Sequence, residues 1–272
     1  MDSRKLERIL IGILLLLNLF LLSAVLLDGI QDRRSRRETA QTLTALLEES
    51  GITADARALT PRACPTKYTL TRDLASEKRI VSKLIGSAEA FDRGGNIFSY
   101  VGTKGKAQLR GSGELDMLLD TGAAPVRGSA MRTAQRLLRR AGIGATPVEE
   151  GAAADAVSLC CTCDGCPVYN AVLSFDFVGG SVRMVSGTRL FDTAAAEDST
   201  GLMDSVSVLV RFLGIVRDEG FICSRIESVT PGYLQTVARS GEAELAPVWR
   251  IVTDTGVLMI DAETGKTEGR LS

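Results

Sequence analysis

Apolar and polar positions divide the chain sharply near its start. Ile9 to Leu27, ILIGILLLLNLFLLSAVLL, carries no charged residue and makes roughly 28 Å of helix, enough to cross a bilayer. A secretory signal has an apolar core of about 7 to 15 residues and small residues before its cleavage site. Here Leu22 stands where a small residue should precede Ala24. The pattern predicts an uncleaved transmembrane helix over 9–27, with a processed signal peptide as the alternative. Asn18 falls near mid-bilayer, either as one tolerated polar residue or as a side-chain amide hydrogen-bonded to another membrane helix.

Beyond the run, residues 28–60 read as a juxtamembrane stalk. Ala40, Leu43, Leu46 and Leu47 recur at helical spacing and Gly51 supplies a stop. So narrow a stripe can pack on the chain's own domain or on another helix. Pro61 and Pro65 then mark an irregular connection that carries Cys64.

The remainder reads as three rounds of one helix followed by antiparallel strands. The first, 61–122, has an extended piece at 67–71, a helix over 73–85 with Leu74, Ile80, Val81, Leu84 and Ile85 on one side, and strands at 97–101, 106–110 and 114–119. The second, 123–192, has a helix that Ser129 caps and Gly142 closes, with Arg132, Arg136, Arg139 and Arg140 outward. A strand over 157–163 follows, then the Asp164-Gly165 hairpin signal, and a strand in which Tyr169, Ala171, Leu173, Phe175 and Phe177 alternate with Asn170, Ser174 and Asp176. A further strand over 181–190 ends the round. The third, 193–272, has a helix from Ser199 through Val216 and strands at 221–229, 232–239, 247–253 and 257–262. Arg136-Leu137-Leu138 matches Arg211-Phe212-Leu213, and Pro167-Val168-Tyr169 matches Pro247-Val248-Trp249, which suggests duplicated helix-plus-sheet units. The predicted fold class is α+β, each helix lying across a sheet.

Charge settles little. The 32 Lys and Arg nearly balance 33 Asp and Glu, so there is no electrostatic case for a nucleic-acid partner. Arg4, Lys5 and Arg8 precede the apolar run, while Arg33, Arg34, Arg36 and Arg37 follow it beyond Asp28 and Asp32. The nearness of Arg8 favours a cytoplasmic tail over 1–8 and an extracytoplasmic body. The Arg tract reads as a solvated stop or as a lipid-headgroup contact.

Histidine is absent altogether, which removes Ser/His and Cys/His nucleophile pairs and any His-containing metal site. No carboxylate pair stands out by spacing. The expectation is a non-enzyme without cofactor or metal.

The opening MDSRKLERILIGILLLLNLFLL and the segments DGCPVYNAVLSFDF, GYL and PVWRIVTDTGVLMIDAETGK resemble YycI-type proteins, which belong with the YycH/YycI regulators of a Gram-positive cell-wall two-component system. The closing DAETGK also resembles the end of the PepSY module, found in protease propeptides and exported regulators. These resemblances imply a single-pass protein of the cell membrane with a PepSY/YycI-like body outside. It would modulate a sensor histidine kinase through transmembrane contacts, beside a YycH-type companion. Asn18 is a candidate contact from its position in the span, and pairing of the chain with itself is left open. The other class of function implied is a PepSY-like inhibitor or chaperone of an exported protease.

LCCTCDGC, residues 159–166, departs from that family. If Asp164-Gly165 is a two-residue turn, Cys163 and Cys166 face each other at about 5.5 Å between Cα atoms, within disulfide range. Alternation places Cys161 on the face of Cys163 and Cys160 on the opposite one. The cluster reads as reduced thiols packed as small residues, as one disulfide, or as a metal or exchange site; Cys64 and Cys223 are a candidate second bridge. Trp249 and Tyr169 fall on the predicted core face, where a structural role competes with ligand stacking.

Overall fold

The computed structural model describes residues 41–55, 58–148, 156–191, 193–197, 200–238 and 242–271. The apolar run 9–27, with Asn18, lies outside the described residues. Among them no helix is long and apolar enough to cross a membrane. The architecture is mixed and sheet-rich: among the described residues four helices lie against two largely antiparallel sheets joined at one seam.

Helix α1 (41–49) ends at Ser50, and Gly51 takes φ +73° to turn the chain out of it. Leu43 and Leu47 are buried while Leu46, one position off that stripe, is 41 % exposed. Helix α1, the described part of the stalk, therefore packs on its own domain and leaves one leucine outward. Strand β1 (Thr53–Ala54) follows, then the irregular stretch with Pro61 and Pro65, and β2 (Tyr68–Thr71).

Asp73 caps α2 (Leu74–Ile85) by accepting the N–H of Ala75. Its buried side holds Ile80, Val81 and Ile85 as expected, but Leu74 is exposed and Glu77 is inside. A meander of β3 (Ala88–Asp92), β4 (Ile97–Gly102), β5 (Gly105–Arg110) and β6 (Glu114–Leu119) comes next. Ser129 caps α3 (Ala130–Ala141), and Gly142 closes it in the left-handed region at φ 90°. Then come β7 (Ala145–Pro147), β8 (Ala156–Cys163), β9 (Cys166–Val178) and β10 (Ser181–Thr188). The first sheet runs β3-β4-β5-β6-β10-β9-β8-β7, every neighbour antiparallel. Helices α2 and α3 cover one of its faces over Tyr100, Leu109, Leu115, Met117, Leu173, Phe175 and Val185.

The second sheet is built by β11 (Thr193–Ala196), β12 (Arg225–Val237), β13 (Glu242–Thr253), β14 (Gly256–Asp261) and β15 (Thr267–Leu271), with β2 and β1 added. Helix α4 (Ser205–Glu219) lies on it with α1, burying Val208, Leu209, Phe212 and Ile215 against Ile226, Val229, Trp249, Ile251, Leu258 and Ile260. The helix begins six residues later than Ser199. Gly201 sits at φ +89°, Met203 gives its N–H to Ala262, and Asp204 caps at Ser207 N–H. The segment ahead of the cap is held out of helix by those bonds.

The stretch 61–122 gives β2 to the second sheet and β3–β6 to the first, where they pair with strands from 123–192. Strands expected at 221–229 and 232–239 are one strand. Pro231 and Gly232 stay in register opposite Trp249 and Val248, so pairing along β13 overrides a local turn signal. The two sheets meet where Tyr233 of β12 pairs in parallel with Val168 of β9. Two residues on, the backbone ladder gives way to a side chain. Asn170 Nδ2 donates to the Gln235 carbonyl at 2.7 Å and its Oδ1 accepts the Gln235 N–H at 2.8 Å.

Candidate functional site

The place where the sheets join also collects residues far apart in sequence. Asp164 (φ 48°) and Gly165 (φ 77°) form a two-residue turn of the type that matches strand twist. Cys163 and Cys166 pair directly across it. Both are half-buried free thiols in this structure. The Tyr68 hydroxyl bonds to the Asp164 carboxylate, and the Tyr233 hydroxyl donates to the Thr66 carbonyl at 2.8 Å. The two rings stand edge to face with centroids 6.2 Å apart. The hairpin tip is thereby held beside the connection that leads from Pro61 to β2.

Cys64 lies on that connection. Burial, then the nearby Cys166 and Asp261, push its thiol up to about 12. The DAETGK turn closes the neighbourhood from the other side. Asp261 Oδ1 accepts the N–H groups of Glu263 and Thr264 and the Thr264 hydroxyl. Lys67 reaches Glu244 at 2.8 Å, Glu263 at 3.3 Å and Glu197 at 3.7 Å. The two motifs singled out in the sequence, LCCTCDGC and DAETGK, thus flank one connecting segment.

The register of β8 against β9 shifts between Cys160 and Thr162, with the extra residues on β9, and β8 keeps its alternation. Cys161 joins Val157, Leu159 and Cys163 at the first core, and Cys160 is buried apart from that cluster. Cys160 Sγ donates to the Val168 carbonyl at 3.0 Å. Burial raises these thiols to about 12 and about 11, and burial followed by the Asp164 charge raises Cys163 and Cys166. A nucleophilic or redox-active thiol needs its thiolate favoured; here burial outweighs the backbone hydrogen bonds at Cys160 and Cys161 and the Arg189 charge that favour it. Cys64 and Cys223 are both free thiols. Cys64 feels the Asp261 charge and Cys223 the Asp254 charge. Among the described residues no three His, Cys, Asp or Glu converge to hold a metal ion.

Trp249 is fully buried, with Nε1 donating to the Met203 carbonyl at 2.8 Å. Tyr169 is half-buried, its hydroxyl 3.1 Å from Thr230 Oγ1. Both are spoken for by the fold. An apolar void of about 10 Å³ lies between α2, α3 and the first sheet, less than a ligand needs.

Glu77 is a centre that periodicity missed. Its carboxylate is 0 % exposed and accepts from Arg72 Nε at 2.7 Å, Arg72 Nη2 at 2.8 Å, Arg189 Nη2 at 2.6 Å and the Tyr100 hydroxyl at 2.9 Å. Burial pushes the carboxyl up, but the Arg72 hydrogen bonds, the Arg189 charge and Tyr100 outweigh it and hold it below the ordinary carboxylate value. Satisfied on all sides, it ties α2 to β4 and to the end of β10.

Two surfaces stay open. Met184, Leu118 and Val101 are exposed on the uncovered face of the first sheet, in one row broken by Lys106. A groove of about 410 Å³ runs between α1 and α4, lined by Leu46, Glu49, Ser50, Leu213, Val216 and Arg217.

No family model matches the chain, and no curated protein matches it. Among solved structures it is similar to an uncharacterized protein from Eubacterium rectale, at 9 % identity and TM-score 0.46, over 81 % of this chain and 90 % of that one. It is similar to the YpeB C-terminal domain of Bacillus megaterium at 9 % identity and TM-score 0.40, over 75 % of this chain and 99 % of that one. It is also similar to YycH from Bacillus subtilis at 10 % identity and TM-score 0.37, over 73 % of this chain and 56 % of that one.

Proposed function

We propose that this chain is a non-enzymatic, membrane-anchored regulator whose extracytoplasmic body modulates a sensor histidine kinase through transmembrane and extracytoplasmic contacts, beside a YycH-type companion. The observation that carries this reading is the seating of α1. The helix follows the apolar run in the chain, and Leu43 and Leu47 enter the second core, so a displacement at the stalk is transmitted to the body instead of being absorbed by a loose tether. Leu46 and the α1–α4 groove then offer a partner's juxtamembrane helix an apolar stripe of the kind that grooves recognise.

Purification from membranes with and without Asn18→Leu tests it. Recovery of a histidine kinase that the substitution weakens is the expected result; recovery of no membrane partner by either form would overturn it. A reporter fused after Ser272, active only outside the cell, tests the orientation.

The second reading, a PepSY-like inhibitor or chaperone of an exported protease, draws on DAETGK, whose turn is exposed and rigidly bonded around Asp261. It requires that the soluble fragment from Arg33 onward inhibit such a protease without the anchor.

A further inference from the structure

The β8–β9 tip is built like a cross-link position and unlike a catalytic one. Cys163 and Cys166 are direct partners across the turn, and opposite residues of an antiparallel pair lie about 4.5–5.5 Å apart at Cα, inside the range of about 4.4–6.8 Å that a disulfide spans. Both are half-buried, so an oxidant can reach them. The turn sets the register at the tip, but that register shifts only a few residues further in, between Cys160 and Thr162. Yet two residues past Cys166 stands Val168, the one β9 residue that pairs with the second sheet. A bond at the tip would pin the strand where the two sheets depend on its register.

We propose that Cys163 and Cys166 form a structural disulfide that locks the hairpin register at the seam between the sheets, formed by exchange with an external disulfide. In that exchange the Cys163 or Cys166 thiolate attacks one sulfur of the external disulfide and releases its first thiol. The second cysteine, after losing its proton, displaces the other thiol and closes the Cys163–Cys166 bond. Two protein thiols are oxidised and one disulfide is reduced to two thiols. The proposal does not depend on the identity of a regulatory partner, only on access to an oxidant. Because burial and Asp164 disfavour both thiolates, closure is slow near neutral pH and accelerates about tenfold per pH unit while the thiolate is scarce. That kinetic behaviour separates a structural staple from a redox enzyme.

The test uses the full chain in detergent, incubated with glutathione disulfide, alkylated, and cut before aspartate so that Cys163 and Cys166 fall on different peptides. The expected result is loss of two of the six alkylation sites and a Cys163–Cys166 linked pair, at a rate that rises with pH. Cys64→Ser should leave that pair intact, and Cys166→Ser should abolish it with the chain still folded by circular dichroism. Linkage of Cys64 to Cys166, glutathione adducts at both tip cysteines without a link, or six free thiols after oxidation at about pH 9 would each overturn the proposal. Amide exchange of β8 and β9 supplies a second readout: protection around Val168 should rise on oxidation, and unchanged protection would refute the register-locking role.

Discussion

Glu77 on α2 accepts a 2.6 Å hydrogen bond from Arg189, 112 residues away at the end of β10, and both side chains are shut off from solvent. Removing one partner of such a pair strands the others. Glu77→Gln leaves two buried guanidinium groups without their anion and should cost about 3–5 kcal/mol, read as a lowered denaturation midpoint with an unchanged slope. The pH dependence follows in sign. A carboxyl whose folded pKa is depressed stabilises above its unfolded value, and that stability is lost as pH falls through the folded pKa. The wild type should lose stability below about pH 4.5, and Glu77→Gln should lose less over the same interval.

Asn170 stands in for backbone at the seam. Asn170→Leu would leave the Gln235 N–H and carbonyl without their partners, a cost of about 1–3 kcal/mol for each buried group left unmade. Amide exchange at Gln235 should quicken more than exchange at Ile80 or Val81, since the damage is local to the joint.

Trp249 is the only tryptophan, so its emission reports the second core alone. Native fluorescence should be blue-shifted and should move red on unfolding. Trp249→Phe removes ring volume and the bond to Met203, for an expected loss of about 2–4 kcal/mol.

Gly232 allows β9 and β12 to come together. A methyl there would stand 2.4 Å from Tyr169 Cε2 and 2.7 Å from the Pro167 carbonyl. Gly232→Ala should destabilise by about 1–3 kcal/mol in thermal melts. Pairing it with Tyr169→Ala should recover part of that loss, because the substitution removes the nearest obstructing atoms.

The buried cysteines supply a clock for global opening. Cys160 and Cys161, raised to about 12 and about 11, should resist iodoacetamide in the native state and label at the rate of unfolding. An acid whose folded pKa is raised stabilises fully below its unfolded value and loses that stability as pH climbs through the folded one. Stability should therefore decline from about pH 9 upward, and Cys160→Ala should lessen the decline.

Much of the fold was legible where one local rule dominated. Asp73 reads as a helix start, Ser129 and Gly142 as the two ends of α3, and Asp164-Gly165 as a hairpin, because caps and turns are made by residues adjacent in sequence. Errors fell where distant partners outvoted local signals. Pro231-Gly232 reads as a turn until eleven registered pairs with β13 hold it straight. Strands β3, β11 and β15 carry little sequence signal because they are short edge pieces, each held by a single neighbouring strand.

By itself the sequence determined the α+β class, the membrane-length apolar run, the helix ends, and the exclusion of histidine chemistry, since each depends on residue type and near-neighbour spacing. Only the tertiary structure decided that Glu77 is a buried anion shared by two arginines, that Asn170 completes a ladder, and that Cys64, Cys166 and Asp261 share one neighbourhood. The reason is physical. A carboxylate, an amide or a thiol takes its character from what surrounds it, and those surroundings are assembled from residues roughly a hundred positions apart, a distance over which chain-local rules carry no information.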